Sequence, residues 1–302
     1  MPAPNFFLVG APKCGTTAIS VYLRDHPNVF FCNPKEPCFW SDDMPGIRES
    51  YGINSVDQYL ELFAGAGESY LAVGEGSTNY LVSEIALKNI LQFNAAARII
   101  VMLRNPVDLV HSLHTHNCFS GWDDEPDFER AWARQTERAQ ASNVPKACLN
   151  PVMLQYKTVG NLGQQVKRAM NIVPSNQLLV VLHDDFRTSP GNVYRRILSF
   201  LDLPDDGRKE FPLVNEAMAA RAKWLTRLLQ SDQARTLTQT LKRTLKGPFY
   251  QFADRAKKQM SMKKQPKSEL EQSFRTELIN AFETEVALLE ELLDRDLSNW
   301  RS

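Results

Sequence analysis

Residues 6–24 restrict what this chain can fold into more than any other stretch. Phe6, Phe7, Leu8 and Val9 are an unbroken apolar run of strand length, and from Thr16 onward Ile19, Tyr22 and Leu23 recur on one helical face. Between them lies a turn bounded by Gly10 and Gly15. A strand that becomes a helix through such a turn aims free backbone N–H groups and the positive end of the helix dipole into one small volume. Lys13 adds a cation there, and Thr16 and Thr17 add hydroxyls. The segment therefore predicts a phosphate cradle. The phosphate loop of a nucleoside triphosphatase reads G-x-x-x-x-G-K-[ST], with its lysine directly after the second glycine. Here the glycine spacing is kept, but Thr16 stands in the lysine's place and Lys13 lies inside the loop. A γ-phosphate with Mg²⁺ would lose its expected partners. An ordinary strand-to-helix connection is the plainer alternative.

Pro12, Lys13, Cys14, Gly15, Thr16 and Thr17 fit the form P-K-x-G-T-[ST] at every fixed position. At this point the chain resembles the sulfotransferases that use 3′-phosphoadenosine 5′-phosphosulfate (PAPS). A second stretch carries the same resemblance. Residues 99–103 are the clearest strand in the chain, Asn105 and Pro106 halt it, and Ser112 follows Arg104 by eight residues on a predicted helix. The family's second signature has this form and holds the 3′-phosphate of PAPS. The residue types suit that task, because a guanidinium gives bidentate contacts to phosphate and a serine supplies a further donor. Read without the resemblance, Arg104 paired with Asp108 and Ser112 facing solvent stays open. The resemblance implies that Lys13 sits at the oxygen bridging sulfur and the 5′-phosphate. It also implies that Cys14, Gly15, Thr16 and Thr17 complete the cradle, and that 3′-phosphoadenosine 5′-phosphate (PAP) leaves without help from a metal.

Pro34, Lys35, Glu36, Pro37, Cys38, Phe39 and Trp40 make a loop too rich in proline for a helix and too aromatic for a linker. Sulfotransferases of the heparan-sulfate type and their bacterial relatives have a K-E-x-x-F-F-like stretch here, from which their catalytic carboxylate comes; the resemblance puts Glu36 in that role. Glu75 is the second candidate. It is expected at the carboxyl end of a strand over residues 71–74, where open parallel sheets bind ligands, with Ser77 and Thr78 close to Lys13. The heparan-sulfate type reads E-K-T-P-x-Y at this point, so Glu75 and Tyr80 agree while Gly76 replaces the lysine. Many cytosolic relatives use a histidine near the Glu75 position, and this chain has none there.

Further along, His111, His114, His116 and Cys118 have the look of a metal tract, but on a helix His111 and His114 share a face that His116 does not, and no metal is expected. Residues 127–142 predict a charged helix acting as lid or wall, and residues 150–172 a further helical region. Residues 178–182 are the fifth strand. Asp184 and Asp185 at its end also suit the Mg²⁺-binding strand of a nucleotide kinase, which is the alternative function. The family likewise has an acidic pair here, followed by a helix with core residues like Ile197, Leu198, Phe200 and Leu201. Beyond Asn215 and Arg221 an amphipathic helix runs through Trp224, Leu225, Leu228 and Leu229. Residues 235–267 then carry ten Lys or Arg against the single acid Asp254. They read as a solvated basic face or mobile loop, or as a segment closing on PAPS through Lys246 and Gly247 or through Lys263 and Lys264. The last helix, residues 269–296, has a stripe from Leu270 through Phe274, Leu278, Phe282, Val286 and Leu289 to Leu293. Phe39, Trp40, Tyr80, Phe119 and Trp122 are expected at the entrance, where aromatic faces suit an apolar acceptor or stack on sugars.

Lys+Arg and Asp+Glu are both 35, which argues against a general nucleic-acid binder. No run approaches the roughly 18 apolar residues of a membrane span, and the first residues lack the charged start and apolar segment of a signal peptide. Five scattered cysteines predict reduced thiols and a cytoplasmic location. No internal repeat or linker breaks the 302 residues, so the expectation is one domain, 1–302. Its fold is expected to be α/β, with a parallel five-stranded P-loop-like sheet flanked by helices and a helical C-terminal half. The expected activity is transfer of a sulfuryl group from PAPS to a hydroxyl or amine of a small-molecule, lipid or saccharide acceptor.

Overall fold

The computed structural model describes residues 2–212 and 270–302. The predicted helix through Trp224, the basic run 235–267 and, within it, Lys246, Gly247, Lys263 and Lys264 lie outside the described residues. The expectation of a single domain over 1–302 also extends over them. The described residues up to Phe211 and from Leu270 onward pack as one unit.

The first strand, β1 (Phe6–Gly10), is buried at all five positions, as a strand covered on both faces must be. It leads through the glycine-bearing turn to α1 (Thr16–Asp25). Next come β2 (Val29–Phe31), α2 (Val56–Glu61), β3 (Ala72–Gly76), α3 (Ala86–Phe93), β4 (Arg98–Leu103) and α4 (Pro106–Ser120). The start of α4 is fixed locally. The Asn105 side chain accepts a hydrogen bond from the Val107 N–H at 2.9 Å, and Pro106 occupies the first turn, where its missing N–H costs nothing. The chain continues through α5 (Phe128–Ala133), α6 (Gln135–Ala139), α7 (Tyr156–Gly160), α8 (Leu162–Ile172), β5 (Leu178–Leu182), α9 (His183–Thr188) and α10 (Pro190–Phe200), and the described residues from 270 form α11 (Gln272–Leu293) and a 3-10 turn at Ser298–Arg301.

The sheet order is β2-β3-β1-β4-β5 and every pairing is parallel. The five-stranded parallel sheet expected from the sequence is therefore present. With β3 on one side of β1 and β4 on the other, the chain changes direction across the sheet at β1. The carboxyl ends of β1, β3 and β4 then frame the crevice in which such sheets bind ligands. Helix α11 seals one side, burying Phe274, Leu278, Phe282, Val286 and Leu289, with the rings of Phe128 and Trp132 edge-on to Phe274 and Phe282 at 5.5 and 5.8 Å.

Three elements differ from expectation. The third strand runs to Gly76 because Glu75 and Gly76 pair with Phe7 and Leu8 of β1, so Glu75 lies inside the sheet and not beyond its end. The segment 127–142, expected as one charged helix, breaks into two short helices and is anchored as a wall. Arg138 and Asp123 form a fully buried pair with contacts of 2.8 and 2.7 Å, and the Tyr156 hydroxyl donates to the same carboxylate at 2.6 Å. The region 150–172 opens with a 3-10 turn at Pro151–Leu154, capped by the Asn150 side chain, before α7 and α8.

Candidate functional site

The turn after β1 places Lys13 and Gly15 in left-handed backbone conformations, with φ of 63° and 89°. Glycine is required at the second position, since a Cβ there would also meet the His183 ring at 3.3 Å and Phe186 at 3.4 Å. Cys14 turns its thiol inward to the Pro12 carbonyl at 3.4 Å, and burial pushes that thiol up. It therefore offers the cradle only its backbone. Thr16 is buried and Thr17 is exposed. The half-buried Lys13 makes no hydrogen bond or ion pair of its own among the described residues. Burial, first, and the Arg104 cation lower its affinity for a proton, while Glu36 raises it. Lys13, Glu36 and Arg104, from the ends of three different strands, thus share one neighbourhood.

Glu36 keeps its side chain 32% exposed. One carboxylate oxygen takes the Lys35 ammonium at 3.0 Å, and the other accepts both the backbone N–H and the hydroxyl of Thr78, at 2.9 and 2.8 Å. Burial acts to raise its pKa, but Lys35 and the two Thr78 hydrogen bonds outweigh it and hold the carboxyl below the usual range. Glu75 is the opposite case. It is fully buried and accepts hydroxyl hydrogen bonds from Tyr59 at 2.8 Å, Tyr80 at 2.9 Å and Ser77 at 2.8 Å. Burial lifts its pKa to about 7 against those three bonds.

Those three hydroxyls enclose the Glu75 carboxylate among the described residues. Ser77 and Tyr80 also receive the backbone N–H groups of Cys38 and Trp40, and through them Glu75 holds the loop that presents Glu36. The lysine missing at position 76 has a counterpart in space. A Cβ on Gly76 would lie 3.4 Å from Lys35 Cε, so the Lys35 stem passes beside the place where that side chain would start.

Arg104 donates to Asp108 at 3.1 Å, one helical turn on, so the plainer pairing is present. The same guanidinium stands in the electrostatic neighbourhood of Lys13 and His183. Ser112 is half-buried on α4, two turns past Arg104. His111 and His114 stack on Phe128 at 5.7 and 4.9 Å, and Cys118 Sγ lies 3.2 Å from His114 Nε2. These are groups that pack α4 against its neighbours. Among the described residues no three His, Cys, Asp or Glu side chains gather to hold a metal.

His116 is different. It is exposed one turn past Ser112, edge-on to Trp122 at 6.5 Å. Desolvation and then Lys13 lower its pKa, with Glu36 opposing. Of the aromatics expected at the entrance, Phe39, Trp40 and Tyr80 are core; Phe39 stacks on Tyr59 at 4.8 Å and Trp40 packs on both. Phe119 is exposed, and Trp122 half-buried. Reading the sequence alone missed Lys35, His116 and His183 as neighbours of the site. The signals were the helical spacing of His116 from Ser112 and the place of His183 directly after an apolar strand.

The family model described as "Sulfotransferase domain" matches residues 3–284. Human carbohydrate sulfotransferase 15 is 25% identical over 268 residues, 73% of this chain and 47% of that protein. Human bifunctional heparan sulfate N-deacetylase/N-sulfotransferase 2 is 28% identical over 203 residues, 66% of this chain and 22% of that protein. The chain thus spans less than half the length of these two relatives. The crystal structure of a sulfotransferase from Alicyclobacillus acidocaldarius superposes with a TM-score of 0.72 at 28% identity, covering 100% of both chains. No helix among the described residues is long and apolar enough to cross a membrane.

Proposed function

Because this chain belongs to the sulfotransferase domain family, we propose that it moves a sulfuryl group from PAPS to a hydroxyl or amine of a saccharide, lipid or other small acceptor. The observation that carries this reading is the convergence of Lys13, Glu36 and Arg104 at the carboxyl ends of β1, β2 and β4. The residues present suit an anionic, doubly phosphorylated donor: a left-handed glycine turn, two hydroxyls, an ammonium with no partner among the described residues and a guanidinium one turn from its acid. When bound, PAPS supplies the activated sulfuryl group. Lys13, Thr16, Thr17 and the backbone of Cys14 and Gly15 bind the 5′ end, and Arg104 and Ser112 bind the 3′-phosphate. Glu36 accepts the proton of the acceptor group, and Lys13 neutralises charge gathering on the leaving phosphate oxygen.

The names of the relatives favour a saccharide acceptor. His116 and Trp122, edge to face beside the reacting groups, offer rings on which a sugar can stack. The five cysteines are all unpaired thiols, which supports a reducing compartment such as the cytoplasm. The nucleotide-kinase alternative is not favoured, since Lys13 lies inside the loop and the family match runs the length of the sheet. Screening saccharide, lipid and small-molecule hydroxyls and amines with labelled PAPS tests the reading. Label is expected to move to at least one acceptor class, and transfer from ATP in place of PAPS would overturn it.

A further inference from the structure

The two edges of the sheet are not alike. On one side β2 is three residues long, and a strand that short is a poor template for a further one. On the other side β5 has five residues, all apolar, paired with β4 in unbroken parallel register from Leu178 to Leu182. Among the described residues no strand pairs with its outer side. This edge carries none of the devices that keep a strand from recruiting another: no charge, no proline and no bulge.

A groove of about 490 Å³ runs along the same edge. Beside β5 it is lined by Met170 and Val173 around the end of α8 and by Leu292 and Leu293 at the end of α11. Met170 is exposed, and Leu178, Val180, Leu292 and Leu293 are half-buried, so an apolar strip stays open to water. The charged groups of the groove are of both signs, Arg196 and the ion pair of Asp185 with Arg295 at 3.0 Å.

The strand complements itself. When two copies pair antiparallel about a two-fold axis at Val180, Leu178 lies opposite Leu182 of the other copy and Leu179 opposite Val181, so all five positions meet an apolar residue. A slip of one residue either way sets a leucine against His183 or Gln177. Beyond the strand, Ser175, Asn176 and Gln177 approach the end of the other copy that carries Asp184 and Asp185, which brings hydroxyl and amide donors toward carboxylates. With Lys+Arg and Asp+Glu both 35, no net charge holds the copies apart. We propose that β5 is the face on which two copies of this chain join, their sheets continuing into one across an antiparallel pair of β5 strands. The two cradles then point opposite ways along the joined sheet, and the inference does not depend on the proposed activity.

Sedimentation velocity on the full chain over a wide dilution series reads the assembly. The unaltered protein is expected to form a dimer that dissociates on dilution. Val180→Lys and Val180→Glu each set like charges face to face at the axis, and each is expected to weaken the dimer by about tenfold or more. An equimolar mixture of the two variants sets lysine against glutamate and is expected to dimerise again. Circular dichroism checks that each variant is folded. Hydrogen exchange on the unaltered protein gives a readout that needs no variant: the amides of residues 178–182 are expected to lose protection as the dimer dissociates. A protein that stays monomeric at every concentration overturns the inference, as does a dimer that both folded variants leave intact. Protection of 178–182 that is unchanged by dissociation overturns it too, since the strand would then be covered within its own chain.

Discussion

One oxygen of Glu36 accepts two hydrogen bonds from a single residue, the backbone N–H and the side-chain hydroxyl of Thr78. Thr78 lies two residues beyond β3, so the strand next to β1 aims a carboxylate carried by the loop after β2. The other oxygen is held by Lys35. Both contacts favour the ionised form, and together with Lys35 they keep this carboxyl below its usual range despite burial. A base held low stays ionised further into acid than an ordinary glutamate. The acid limb of the kcat/KM profile is therefore expected below the usual carboxylate range. Thr78→Val removes the hydroxyl bond and keeps the N–H, and is expected to move that limb to higher pH. A pH–rate series on the two proteins checks this; an unmoved limb would mean another group titrates.

The phosphate cradle predicts a preference among nucleotides. PAP is expected to raise Tm by several degrees at concentrations far above its Kd, because a ligand bound only by the native state stabilises it by mass action. ATP with Mg²⁺ is expected to do much less, since Lys13 lies inside the loop and Thr16 occupies the usual lysine position. Thermal melts with each nucleotide settle the point. Equal shifts, or PAP binding that requires Mg²⁺, would favour the kinase alternative.

Arg104 separates two roles that the structure places side by side, ion pairing with Asp108 and phosphate binding. Arg104→Ala is expected to weaken PAPS by about 2 to 4 kcal/mol. It should hardly change binding of adenosine 5′-phosphosulfate, which lacks the 3′-phosphate. Competition binding with both nucleotides measures the difference. An equal loss for both would mark Arg104 as a structural ion pair.

The wall beside α4 depends on the buried pair of Asp123 and Arg138. Arg138→Met leaves a carboxylate inside the protein with only the Tyr156 hydroxyl and a backbone N–H, and is expected to cost about 3 to 5 kcal/mol. Burial acts to raise the Asp123 pKa, but Arg138 and Tyr156 outweigh it and hold it below the ordinary value. Its contribution to stability is therefore fully present above the unfolded-state pKa and is lost as pH falls through the folded one. The gap between variant and wild type, measured by urea denaturation, should narrow in acid. A loss under about 1 kcal/mol at neutral pH would show that the pair is dispensable.

The legible parts of the molecule are those written in contiguous residues. The cradle and the Arg104–Ser112 spacing each lie in one stretch, and the apolar runs of β1, β4 and β5 are unbroken, so the sheet could be read directly. Glu75 could not, because its burial depends on Tyr59 from α2 and Tyr80 from the next turn converging on one carboxylate. Phe39 and Trp40 read as entrance residues for the same reason: their partners Tyr59 and Phe93 are far away in sequence. The extra length of β3 came from pairing with a buried neighbour, which no local pattern carries. His183 showed no motif at all, only a position at the edge where ligands bind.

The assignment of Glu36 as the group that takes the acceptor's proton is best tested by Glu36→Gln, with Glu75→Gln as its companion. Glu36→Gln is expected to abolish most turnover in a labelled-PAPS assay while leaving PAP binding within about threefold of wild type. Glu75→Gln, altered at a fully buried site that props the same loop, is expected to show its main effect on stability. Near-normal kcat in Glu36→Gln together with loss of turnover in a folded Glu75→Gln would contradict the assignment.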